Sequence, residues 1–171
     1  TVTTSSLSNW HFYSLSFVSG DSSVIGRLYI DGALNESKSL GSTALNEIPG
    51  LINGYIGALQ TSPSGSSAVK FAGKLSASID DFRFWKTRRT SEQIQSYSNR
   101  TIGGGSNTDD NRTSLGVYYK FNEGIVGTNA RDSIVLDYSG RIANGTWNGY
   151  SAGARNSGSA IVSSSAAVAE V

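Results

Sequence analysis

Asp80 and Asp81 stand side by side in the most strongly patterned stretch of this chain and are the first residues to weigh as a paired-carboxylate site. Glycoside hydrolysis needs two carboxyl groups facing one another across about 5–9 Å. Neighbouring residues on a strand point to opposite faces, so these two can meet only if a bulge turns them together. The glutamates Glu36, Glu47, Glu92, Glu123 and Glu170 are scattered and supply no partner by spacing. His11 is the only histidine, lies beside no Gly-x-Ser-x-Gly elbow, and reads as a partly buried or hydrogen-bonding side chain. Gly103-Gly104-Gly105 has no following lysine to hold a phosphate and reads as a hinge. These residues predict no enzyme.

Binding chemistry is better represented. Sugars are held by exposed aromatic faces with amide and carboxylate groups beside them, and the candidate platforms are Trp85, Tyr138, Trp147 and Tyr150, each of which also reads as a core or rim residue. Among metals, calcium suits a chain without cysteine, because its ligands are carboxylate, amide and backbone oxygens held on loops.

The formal net charge of +1 and a charged fraction of 16% give no electrostatic footprint for a nucleic-acid or membrane-surface partner. The lack of cysteine excludes a disulfide-stapled scaffold. No apolar run approaches the length of about 18 residues that a membrane helix requires, so no membrane insertion is expected. The length suits one domain. Thr1 is expected to be a processing point or a fragment end.

The elements that must position these groups read as strands. Tyr13, Leu15 and Phe17 share one parity in a strand expected from Trp10, with His11 on the same parity near its start. Asp31-Gly32 between two apolar runs predicts a type I′ hairpin turn. Asn53 to Leu59 reads as a short strand opened by a turn dipeptide. Leu75, Ala77 and Ile79 alternate with polar residues in a strand running on to Trp85, but beyond Asp80-Asp81 the apolar parity flips to Phe82 and Phe84. A β-bulge is therefore expected at Asp80-Asp81, with Ile79, Phe82 and Phe84 all buried. Thr90-Ser91-Glu92-Gln93 is a capping-box pattern that opens a short helix. Strands with turn signals at short intervals and one helix suit a two-sheet sandwich.

The stretch FAGKLSASIDDFRFWKTRRTSEQI (Phe71 to Ile94), with NWHFYSLSF (Asn9 to Phe17), GRLYIDGAL (Gly26 to Leu34), VYYKFNEG and VLDYSGRIANGTWNGY (Val135 to Tyr150), resembles laminin-G-like, concanavalin-A-like lectin/glucanase domains. The resemblance implies an all-β fold, an antiparallel two-sheet jelly-roll sandwich with one short helix. It divides the chain into a leading arm (1–8), the main part of the jelly roll (9–98), a glycine-rich linker (99–114), closing strands or the start of a second repeat (115–150), and a small-residue tail (151–171). The family's opening strands do not precede Asn9, so open sheet edges are expected to be filled from elsewhere in an assembly or by Leu115 to Tyr150 folding back. Asp137 to Val171 also resembles a segment of structural proteins from T4-like tailed phages of marine cyanobacteria.

The family often carries one structural calcium. The resemblance names Asp137 as first ligand, Asn144 with a nearby carbonyl as next, and Asp81 as a further partner, while an Asx turn at Asp137 is the alternative that needs no ion. The implied function is a non-catalytic adhesion or structural module on a virion or other extracellular surface, with cell-surface glycans or other chains of an assembly as partners. A lectin of defined glycan specificity is the second reading and a glycoside hydrolase-like domain the third.

Overall fold

The computed structural model describes residues 8–42, 44, 53–57, 59–61, 69–72, 75, 77–102, 113–121 and 134–146. The leading arm up to residue 7, most of the linker, Trp147, Tyr150 and the tail lie outside the described residues. The described chain is mostly β, with antiparallel sheets and one short helix. It divides into two compact units, one of Thr1–Leu45 with Asp80–Val171 and the other Asn46–Ile79.

In the first unit, β1 (Tyr13–Ser19), β2 (Val24–Ile30) and β3 (Ala33–Gly41) form a meander in the order β1-β2-β3. The Asp31-Gly32 turn has φ of 51° and 82°, the two positive values that a type I′ hairpin requires. Gly32 is needed twice over, because a Cβ there would also lie 2.8 Å from the Gln95 Cα. His11 sits at the same corner: its Nδ1 is 2.7 Å from Asp31 Oδ2, and the Phe12 N–H donates to Asp31 Oδ1 at 2.9 Å. The histidine thus ties the hairpin turn to the lead-in of β1, which begins at Tyr13 instead of Trp10.

β6 (Phe82–Trp85) pairs with β7 (Leu115–Tyr119), and β8 (Ile134–Val135) pairs with β9 (Gly145–Thr146). Between the partners of β6 and β7 in sequence lies α1 (Ser91–Tyr97). Thr90 caps it as its sequence predicts: Thr90 Oγ1 accepts from the Gln93 N–H at 3.3 Å, and Gln93 Oε1 accepts from the Thr90 N–H at 3.0 Å. The helix buries Ile94, while Ile102, Leu115 and Tyr118 form a core cluster with Trp85 and Tyr97 packed against it. In the second unit, β4 (Leu59–Thr61) pairs with β5 (Val69–Ala72), and the Leu75 N–H donates to the Gly57 carbonyl at 2.8 Å.

Three expectations are corrected. Asn53–Gly57 is not strand, because the chain turns at Gly57 with φ of 76°. The long strand through Asp80-Asp81 does not form: residues 77–81 are outside any ladder and Asp81 adopts φ of 54°, which breaks the chain direction and lets β6 start a register of its own. The bulge lies instead on β7, where Phe84 pairs with Val117 and Trp85 with Leu115, leaving Gly116 over. Ile79 and Phe82 are half-buried and Phe84 is 54% exposed. Arg83 takes the inward position between the two phenylalanines, with only 4% of its side chain exposed.

Candidate functional site

The turn between β8 and β9 carries the densest polar network among the described residues. Asp137 Oδ1 accepts from the N–H groups of Tyr118 and Ser139, both at 2.9 Å. Its Oδ2 accepts from Ser139 Oγ at 2.7 Å and from the Ala143 N–H at 3.0 Å. The Asp137 N–H in turn donates to Asn144 Oδ1 at 2.9 Å. Ser139 reaching back to Asp137 is an Asx turn, and Gly140, at φ of 81°, turns the chain after it.

This turn closes an edge. β7 has β6 on one side; on its other side the Tyr138 N–H donates to the Tyr118 carbonyl at 2.8 Å while Tyr118 gives its own N–H to Asp137. Ser139 Oγ lies 3.3 Å from the Gly116 carbonyl, and Arg141 donates through Nε to Leu115 O and through Nη2 to Thr113 O, each at 2.7 Å. Tyr119 adds a bond from its hydroxyl to the Ala143 carbonyl at 2.6 Å. Groups that a further strand would have satisfied are met by a loop, which is one way to blunt a strand edge.

Burial works to raise the Asp137 carboxyl pKa, but the hydrogen bonds from Ser139, Tyr118 and Ala143 outweigh it and hold it below the ordinary 3.8. The carboxylate is therefore anionic at neutral pH, and its four acceptor positions are all taken by protein donors. Asn144 uses its carbonyl oxygen on Asp137.

Asp81, the third residue of the set, is engaged elsewhere. Its carboxylate pairs with the Arg83 guanidinium, the two side chains being 9% and 4% exposed. Arg83 also donates to the carbonyls of Tyr97, at 2.7 Å, and Arg100, and lies over the rings of Tyr118 and Phe12 at 5.4 and 5.9 Å. It thus supplies the positive charge at the helix C-terminus that α1 itself lacks. Asp80 next to it is of the opposite character. Burial, together with the charge of Asp81, raises its pKa above 3.8 against one lowering backbone bond, and its Oδ1 is buried with no hydrogen-bond partner. Asp81 is thus bonded to Arg83, while Asp137 and Asn144 are bonded to one another within the turn between β8 and β9. Among the described residues no group of three or more acidic, histidine or cysteine side chains has metal-holding geometry.

Of the aromatic candidates, Trp85 has the Arg89 guanidinium 4.1 Å above its ring and packs on the core cluster, so one ring face is filled from within. Tyr138 is 39% exposed, with Lys120 Nζ 5.2 Å from its ring and Tyr118 edge-on at 6.5 Å. Sequence reasoning picked out the Asp137 turn but passed over Ser139, Arg141 and Tyr119, whose polar groups seat it. The Ser-Gly-Arg run directly after Asp137-Tyr138 is the signal that was there to read.

Compared with protein-family models, with characterised proteins and with solved structures, the chain matches none.

Proposed function

We propose that this chain is a non-catalytic concanavalin-A-like jelly-roll module that serves in adhesion or as a structural piece of a larger assembly at a virion or other extracellular surface. The observation that carries this reading is the Asp137 turn: the densest polar network among the described residues spends its carboxylate, hydroxyl and guanidinium groups on the edge of β7, and the Asn144 amide on Asp137 itself. A site that turns over substrate keeps such groups aimed at solvent or at a cleft. The family resemblance supplies the jelly-roll topology and the adhesive role, and the likeness of Asp137 to Val171 to phage structural proteins supplies the setting. Incubating the chain with β-glucans should release no reducing ends; hydrolysis lost on Asp80→Asn or Asp81→Asn would overturn the reading.

A lectin is the second reading, favoured by the partly exposed ring of Tyr138. Binding on a glycan array that disappears in Tyr138→Ala would move the assignment there.

A further inference from the structure

The β1–β2–β3 sheet carries an apolar face that the mechanism of edge closure does not use. Leu15 lies opposite Leu28, and Leu28 opposite Glu36; Phe17 lies opposite Gly26, and Gly26 opposite Lys38. Two rows therefore cross the same face of the sheet, one of Leu15, Leu28 and Glu36 and the other of Phe17, Gly26 and Lys38. Leu15 is 66% exposed, Phe17 53% and Leu40 55%, and these residues line an open groove of about 310 Å³. Leu40, the extra residue where the β2–β3 register shifts, leans across Gly26, whose Cβ would lie 2.8 Å from Leu40 Cδ1.

We propose that this face joins two copies of the chain about a two-fold axis that crosses the sheet between the rows, at Ser16, Arg27 and Ser37. Rotation about an axis in the plane of contact and across the strands lays one row of each copy over the other row of its mate. Glu36 then faces Lys38 of the second copy and Lys38 faces its Glu36. Leu15 and Phe17 exchange in the same way, and Leu28 meets the Leu40 that covers Gly26 opposite. Every contact is made twice, as an isologous interface demands. Facing sheets stand about 10 Å apart, a gap that Glu and Lys side chains span together.

The chemistry of the face selects this occupant. Glu36 and Lys38 stand two residues apart on β3 with opposite signs, so the row that carries one complements the row that carries the other, and a second copy of the same face presents that complement. The inference goes beyond the adhesion reading, since a chain that binds no glycan and closes no virion would still pair through this sheet.

Sedimentation equilibrium of the whole chain from about 5 to 500 μM tests it. The parent's mass should rise toward twice the monomer value. Leu15→Glu, at a position already open to solvent in the single chain, should remain monomeric. Lys38→Glu and Glu36→Lys each set like charges face to face, and each should weaken pairing at least tenfold by itself. An equimolar mixture of those two variants should recover it, because every facing pair is again of opposite sign. Circular dichroism matching the parent keeps all of these comparisons among folded chains. A parent that stays monomeric throughout overturns the proposal, as do single-charge variants that pair like the parent or a mixture that pairs no better than its components.

Discussion

Asp80 and Asp137 are the same residue type in half-buried positions of one compact unit, and their surroundings drive their carboxyl groups in opposite directions. Burial disfavours the charged form at both. At Asp137 the penalty is overcome by three backbone N–H groups and a hydroxyl aimed at its two oxygens. At Asp80 one oxygen is buried without a donor, and the neighbouring Asp81 charge adds to the burden. What separates a structural carboxylate from a stressed one here is the number of donors converging on it, not the depth at which it sits.

The largest test of this comparison is at the residue between the two cases. The Asp81 side chain is 9% exposed, and its charge is paired with the Arg83 guanidinium. Asp81→Ala leaves a guanidinium almost wholly buried without its counterion, and should cost about 3–5 kcal/mol in urea melts. A loss under about 1 kcal/mol would mean that the carbonyls of Tyr97 and Arg100 suffice for Arg83, and that donor or acceptor count matters less than argued. Asp137→Ala comes next. It strands the N–H groups of Tyr118, Ser139 and Ala143, of which Tyr118 belongs to a fully buried residue, and should cost about 2 kcal/mol. Because those donors belong to the chain itself, a cost that is the same in chelator and in millimolar calcium assigns the Asp137 carboxylate to them; a calcium-dependent cost would assign it to an ion.

The pH profile separates the two aspartates by sign. Asp137 has a folded pKa below 3.8, so its contribution is present above that value and is lost as pH falls through the folded pKa. Asp80 has a folded pKa above 3.8, so its penalty is absent below 3.8 and grows as pH rises through the folded pKa. Asp80→Asn should therefore stabilise the chain at pH 7 and leave it unchanged near pH 3, whereas Asp137→Asn should flatten the acid limb. Matching profiles for the two variants would break the comparison.

How much of this was legible beforehand depends on how local each cause is. The capping box at Thr90 and the turn at Asp31-Gly32 are set by residues within four positions of one another, and both stand where their sequence puts them. The stretch around Asp80 failed for the same reason in reverse. Its alternation reads as one strand, but Arg83 is drawn inward by the carbonyls of Tyr97 and Arg100, 14 and 17 residues away, and that choice turns Phe84 outward. At the candidate site, Asp137 and Asn144 were readable as a polar turn. Their employment was not, since the Tyr118 N–H that binds Asp137 is 19 residues distant and the carbonyl held by Arg141 Nε is 26. The jelly-roll topology rests on the family resemblance and stays with the proposed function.

The smallest expected effect sharpens the comparison at the level of the backbone. Both regions place a non-glycine residue in the left-handed conformation, Asp81 at φ of 54° and Ile142 at φ of 59°. Aspartate tolerates this region, because its short polar side chain finds local partners there, and Asp81 finds Arg83. A β-branched residue gains nothing comparable, and Ile142 is 84% exposed, so no buried contact repays the strain. Position 142 is held by its neighbours instead: Arg141 is anchored to Leu115 and Thr113, and the Ala143 N–H to Asp137. Ile142→Asn keeps those anchors, removes the crowding at Cβ and loses no core packing, so it should stabilise the chain by about 0.5–1 kcal/mol. Asp81→Asn keeps the same backbone preference but deprives Arg83 of its charge, and should destabilise. Parallel urea melts of the two variants read the difference directly. If both moved in the same direction, backbone strain and donor count would not be separable in this chain, and the contrast between the two regions would reduce to burial alone.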